Sequence, residues 1–234
     1  MIETPQAIVP LFSTDLPRGI QIGLIRAEPV GVGPASEALT AEIVELCGRL
    51  TAQHAGKPPA SIAGLVPSRE IYRAFGIDPT HTRPASEALL RRAIVGKPMP
   101  KIINAVDVCT LCSLLFLLPI GLYDAGKIRG QVTLRRGRPG ESYPGIRKDD
   151  VHLDGRPVLA DEAGAFGNPT SDSLRTSVTP ATLSLWMVIF APASVPRPEL
   201  ESHVETARDA MARHLAPAGA GTATAGMILP GGRA

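Results

Sequence analysis

Ile103-Asn104-Ala105-Val106-Asp107-Val108-Cys109-Thr110-Leu111-Cys112-Ser113-Leu114-Leu115-Phe116-Leu117-Leu118-Pro119-Ile120-Gly121-Leu122-Tyr123-Asp124 is the most apolar part of the chain, and its reading decides the architecture. Residues 104–118 read as a buried helix, because only Thr110 and Ser113 interrupt the apolar run from Val108 onwards. Pro119 stops the helix, and Ile120–Tyr123 follows as a strand. A membrane span needs about 20 largely uninterrupted apolar residues. This run breaks at Pro119, so neither a membrane segment nor a membrane partner is expected.

Outward from this centre, helices and strands flank it on both sides. Towards the N-terminus, Pro84 opens a helix whose apolar stripe is Leu89, Leu90, Ala93 and Ile94, and Gly96 is its expected stop. Residues 55–68 read as a loop, and Glu70–Phe75 as a short helical piece ending at Gly76. Leu39, Ile43, Leu46 and Leu50 mark one face of an earlier helix, and residues 19–30 read as a strand. Towards the C-terminus, Gln131–Leu134 and Ala181–Phe190 read as strands. Leu200, Val204, Ala207, Met211 and Leu215 form the stripe of a last helix. Residues 216–234, rich in Gly, Ala and Thr, are expected to be a mobile tail. Helices at both ends with strands between them imply an α+β fold. Residues 1–215 are expected to form a single compact domain, helices packed on a mixed β core, with an N-terminal strand-helix extension.

Composition narrows the function. With 44% hydrophobic and 20% charged residues, the 234-residue chain is globular rather than disordered. A net charge of +2 is low for a protein that grips a duplex by charge alone, and no DNA partner is expected. Only 4% of residues are aromatic, which disfavours a stacking platform for single-stranded RNA. Three cysteines are too few for a disulfide framework, and Met1–Pro5 lacks a basic start and an apolar core, so a cytoplasmic location is expected.

Most familiar motifs fail on inspection. Gly31-Val32-Gly33 lies between a strand and a helix, but Pro34 removes a backbone N–H that a pyrophosphate would need, and no acidic strand end follows about 20 residues on. Cys109 and Cys112 form a C-x-x-C with no second pair, so zinc is not expected and core packing is the favoured reading. The five histidines show no paired spacing, and nucleophile elbow and P-loop are both missing from the sequence. No metal and no cofactor are therefore expected.

Two kinds of polar cluster remain. Gly167-Asn168-Pro169-Thr170-Ser171-Asp172-Ser173-Leu174-Arg175-Thr176 is dense in short polar side chains that stiffen turns. Its Asp172 and Arg175 suit the amine and carboxyl or ester ends of an amino acid, with a capped loop as the plain alternative. Arg91 and Arg92, with Lys97 and Lys101 beyond them, and the turn residues Arg135, Arg136 and Arg138 are candidate phosphate contacts. The plain alternative, a solvated face, is favoured for both groups.

Residues 73–176 resemble the B3/B4 domain of the phenylalanyl-tRNA synthetase beta subunit, in its stand-alone branch. The blocks are Arg73–Pro79 with Arg83–Arg92, then Ile103–Val108 through Pro119 to Tyr123-Asp124 and Lys127–Gly130. Gly140-Glu141, Leu153–Gly155, Val158–Asp161 and Ala165–Gly167 follow in the same order. The resemblance implies a compact α+β domain related to one that edits mischarged tRNA, without the ligase core. On that footing Asp172, Arg175 and Thr176 are expected to hold an amino acid, with Asn104, Glu87 and Arg83 nearby. Asp161 or Glu141 would orient a water. The chain departs from the bacterial synthetase pattern at Gly121, where that pattern has a histidine, and at Thr110, where it has an asparagine. Three readings follow: a free-standing deacylase of aminoacyl-tRNA, a non-catalytic pocket for an amino-acid-like small molecule, or a tRNA-binding or partner-binding domain.

Overall fold

The computed structural model describes residues 11–12, 19–146 and 149–230. Its backbone is organised by β2 (Ile20–Glu28) and β9 (Leu185–Pro192), neighbouring antiparallel strands buried on both faces. Strand periodicity explains how. In β9, Leu185, Met187, Ile189 and Ala191 face one apolar cluster, while Trp186, Val188 and Phe190 face another. In β2, Ile25 and Ala27 join the first cluster, and Ile20, Ile22 and Leu24 the second.

The first cluster is closed by helices. These are α1 (Glu37–His54), α3 (Ala85–Ile94), α4 (Asn104–Phe116) and α5 (Arg197–His214). The second is closed by α2 (Val66–Ala74) and by another sheet, which holds β4 (Thr133–Arg136), β7 (Pro157–Asp161) and β8 (Gly164–Gly167). The short strand β1 (Leu11–Phe12) pairs in parallel with β4, so that sheet is mixed. Strands β5 (Ser142–Pro144) and β6 (Asp150–His152) form a small ribbon beside it. The result is one α+β domain, as expected.

The helix punctuation matches its chemistry. Ser36 caps α1 by accepting from the Leu39 N–H, and α3 runs from just after Pro84 to just before Gly96, whose φ of +69° is open to glycine. Strand β3 (Ile120–Asp124) follows α4 and forms an edge of the β2–β9 sheet.

One expectation is corrected. Within the supposed mobile tail, Ala223–Pro230 forms β10, which pairs antiparallel with β2 over eight residues, from Ala223↔Glu28 to Pro230↔Gln21. Residues 231–234 lie outside the described residues. An otherwise open edge of β2 explains the pairing, since its unpaired N–H and C=O groups template another strand. Strand β2 is thereby an inner strand, not an appendage. The apolar run Met227-Ile228-Leu229 was the local signal, masked by the Gly, Ala and Thr around it; the partner strand is too distant in sequence to be advertised. The approach of α5 is equally specific: a Cβ at Gly226 would sit 2.4 Å from Val204, and one at Gly23 2.7 Å from it. Among the described residues no helix is long and apolar enough to cross a membrane.

Candidate functional site

The stretch 167–176 runs from the last residue of β8 into the loop before β9, and is stiffened from within. The Asn168 side-chain oxygen accepts from the backbone N–H groups of Thr170 (2.7 Å) and Ser171 (3.0 Å), closing an Asx-type turn around Pro169. The Asn168 amide donates to the Tyr143 hydroxyl (2.8 Å), which donates to the Ser171 carbonyl. The Tyr72 hydroxyl meets Thr170 Oγ1 at 2.8 Å. Tyr123 runs from β3 into the space between Gly121 and Gly167. A Cβ would lie 2.0 Å from its hydroxyl at Gly121 and 2.2 Å at Gly167. All three tyrosines of the chain thus converge on this loop.

Asp172 sits among them. Its Oδ2 accepts from the Leu122 N–H at 3.2 Å, while the Asp124 N–H donates to the Thr176 carbonyl at 2.9 Å. The loop therefore covers the outer edge of β3. Burial pushes the Tyr123 hydroxyl well above its ordinary range, and the Asp172 carboxylate and Tyr143 push it further. Burial also raises Tyr143 and Tyr72, against the opposing pull of Arg156 on both. At neutral pH all three phenols stay protonated, available to donate or accept hydrogen bonds but not to act as bases. Thr170, Ser171 and Asp172 are half-buried, so one side of the cluster reaches solvent.

The residues picked out from sequence divide sharply. Asp172 and Arg175 do not pair. Arg175 instead grips Asp161 with two bonds of 3.0 and 2.8 Å, and also donates to the carbonyls of Lys127 and Gly164. Asp161, fully buried at its side chain, also accepts the N–H groups of Arg129 and Ala163. Its lone pairs are committed to a turn, which corrects its expected place as a water-orienting group. Glu141 is gripped in the same way by Arg135, at 2.6 and 2.8 Å, and accepts the Arg138 N–H. The Arg135 hydrogen bonds hold its carboxyl below the usual range, the wrong direction for a general base near neutral pH. Thr176 is buried against Ser173 and the Phe166 carbonyl.

Glu87 and Asn104 lie away from the loop in bonding terms. Burial pushes Glu87 up, but Arg69 (2.8 Å) and Arg91 (2.9 Å) outweigh it and leave the carboxyl below its ordinary range. Arg83 is 3.8 Å from the same carboxylate, with its side chain 46% exposed. Asn104 staples three segments. It donates to the carbonyls of Gly31 (2.7 Å) and His214 (3.2 Å), and its oxygen accepts from Gly33 N–H (3.0 Å). That last bond occupies an N–H of the rejected Gly-x-Gly motif.

The basic groups are also partly committed. Arg135 belongs to Glu141, and Arg136 stacks 4.8 Å above the Phe75 ring while donating to the Gly155 carbonyl. Arg92 donates to the Pro98 carbonyl at 2.7 Å. Arg138 stays exposed. Among the described residues no group of three or more His, Cys, Asp or Glu side chains is arranged to hold a metal ion. Burial pushes the Cys112 thiol up to about 12 and Cys109 well above its usual value, against the low thiol pKa that redox chemistry needs.

Sequence reasoning missed Tyr72 and Tyr143, and took Asn168 only as part of the polar stretch 167–176. The available signal was the scarcity of tyrosine itself, three in the chain with one in the Tyr123-Asp124 pair.

The fold is that of an α+β domain whose polar loop is braced across a sheet edge by tyrosines. Comparison with known families identifies it: the B3/4 domain model matches residues 68–220, and the chain belongs to that family. Among solved structures, it is similar to an N-terminal fragment of the phenylalanyl-tRNA synthetase beta subunit from Pyrococcus horikoshii. Identity is 16% and the TM-score 0.37, over 45% of this chain and 40% of the fragment. No curated protein matches the chain.

Proposed function

We propose that this B3/4 domain acts on aminoacyl-tRNA, taking the aminoacyl end at the loop 167–176. The observation that carries the reading is the convergence of Tyr72, Tyr123 and Tyr143 on a loop that also carries Asp172. A carboxylate there offers a counter-charge to an α-ammonium group, and neutral phenols offer hydrogen bonds to an ester or side chain. Membership of the B3/4 family, together with the resemblance of residues 73–176 to the synthetase beta-subunit domain, supports a tRNA-related substrate. The tRNA body would meet the exposed Arg138, whose turn continues through β5 into contact with the loop at Leu174 N–H to Pro144 carbonyl.

Hydrolysis in this site adds water to the ester carbonyl, breaks the bond to the ribose oxygen and returns a proton to that oxygen. With Asp161 and Glu141 tied to arginines, the rate must come from positioning the activated ester and its water rather than from either carboxylate as base. A second reading, binding without hydrolysis, is favoured by the Tyr123 ring filling the space beside Gly121.

The test offers the purified protein a panel of correctly and incorrectly charged tRNAs, with Asp172→Asn and Tyr123→Phe variants. Release of one amino acid, slowed in both variants while their melting temperatures hold, is the expected result. Saturable binding of an aminoacyl-tRNA or amino acid without release moves the protein to the second reading. Neither turnover nor binding across the panel rejects both.

A further inference from the structure

A groove lies between α1 and the segment 96–101, enclosing about 550 Å³, within the range of roughly 300–1,000 Å³ typical of small-molecule sites. None of its lining residues belongs to the loop 167–176 or its tyrosines. One wall is α1, through Val44, Cys47 and Gly48, and the other includes Pro98 and Met99. Val44, 65% exposed, adds apolar surface to the α1 wall of the groove.

The groove is built rather than incidental. Thr51 donates to the Ala93 carbonyl at 2.9 Å and joins α1 to α3. The opposite wall is pinned at both ends, by Arg92 donating to the Pro98 carbonyl and by the Ile102 N–H donating to Asp107 at 3.2 Å. Gly48 is an independent sign. A glycine inside a helix costs roughly 1 kcal/mol relative to alanine, and is usually explained by something packed against it. The strand residue Gly23 has such a neighbour in Val204, but a Cβ at the helical Gly48 meets nothing within 4 Å. The space over Gly48 opens into the groove. Lys97 and Lys101 line the same groove, with Arg92 beside Pro98. The one carboxylate in the lining, Asp107, is bonded to the opposite wall and faces Lys101.

We propose that this groove binds a small apolar anion, an aliphatic or aryl carboxylate whose body lies over Val44 and Gly48 and whose charge meets Lys97 and Lys101. The apolar walls contribute affinity by losing water, and the lysines select the sign of the charge.

Calorimetric titration with decanoate, decanol and decylammonium, each below its micellar concentration, tests this. Decanoate is expected to bind saturably at one site and the other two at least about tenfold more weakly. Lys97→Glu/Lys101→Glu should weaken decanoate by a similar factor. Gly48→Leu places a side chain in the open space, and should abolish binding while leaving the melting temperature at or above that of the unaltered protein. The proposal is overturned if decylammonium binds as tightly as decanoate, if no decanoate binds, or if Gly48→Leu binds it unchanged. A concentration-dependent dimer lost in Gly48→Leu would also overturn it, giving the groove to a second copy of the chain.

Discussion

Tyr123 shows how a single ring can decide what a site is able to do. Its hydroxyl occupies the space that side chains at Gly121 and Gly167 would need, so the two glycines and the tyrosine form one steric unit. Gly121→Ala should therefore overpack the core and cost about 1–3 kcal/mol in denaturant unfolding. Tyr123→Leu, which shortens the ring that Gly121 faces, should recover part of that loss, giving a non-additive pair. Simple additivity would mean that the ring does not stand over Gly121. Glu87 supplies a second expectation at this scale. Its carboxyl is held below the ordinary range of about 4.3 by Arg69 and Arg91 despite burial. A depressed folded pKa stabilises the fold above the unfolded value, and that stabilisation is lost as pH falls through the folded value. Unfolding free energy should thus decline between about pH 5 and 3, and Glu87→Gln should flatten the decline while lowering the plateau. An unchanged slope in the variant would place the acid sensitivity elsewhere, for instance at Glu42 or Glu141, which arginines also hold low. Neither effect was visible in the amino-acid order. Asp172 and Arg175 stand three apart and invite pairing, yet Arg175 reaches across the β7–β8 hairpin to Asp161. Partner choice is set by which side chains a turn brings together.

Elements were more legible than residues, for physical reasons that differ from one to the next. The α3 boundaries follow from Pro84 and Gly96, because proline and glycine restrict or free the backbone wherever they stand. The apolar run of β9 reflects burial on both faces, a property of the strand's own residues. Strand β10 is the opposite case. Its first half, Ala223–Gly226, is small and weakly apolar, while Met227 and Leu229 pack on one apolar cluster and Ile228 on the other; it is placed by the edge that β2 offers and by the close fit of Val204 against Gly226. Truncation after Ala220 should bare that edge. In hydrogen exchange, the amides of β2 that point towards β10 should lose protection, and the melting temperature should fall. Gly226→Val should reproduce the destabilisation without truncation, by about 1–3 kcal/mol, since its side chain would be forced onto Val204. Protection of β2 unchanged by truncation would mean that the strand does not depend on this pairing.

Across the whole molecule, the low net charge and the fate of the arginines have one joint consequence for tRNA. The ion pairs Arg135–Glu141 and Arg91–Glu87, and the stacking of Arg136 on Phe75, spend basic side chains on the fold. Of the candidate phosphate contacts that the sequence offers, the exposed ones fall in two separate places, Arg138 on the turn that leads into β5 and the loop 167–176, and Lys97 with Lys101 at the groove beside α1. Each phosphate contact releases counterions and steepens the fall of affinity with salt by roughly 0.7–0.9 on a log–log plot. A domain that takes tRNA at the turn through two or three phosphate contacts, as an order-of-magnitude expectation, should show a slope of only about −2. Arg138→Glu should make that slope shallower by close to one unit. Lys97→Glu/Lys101→Glu should leave it unchanged while weakening decanoate binding, because the two basic places serve different ligands. If the lysine reversal flattens the salt dependence and Arg138→Glu does not, the tRNA face lies over α1 and α3. The loop 167–176 would then have to recognise something other than the end of a tRNA.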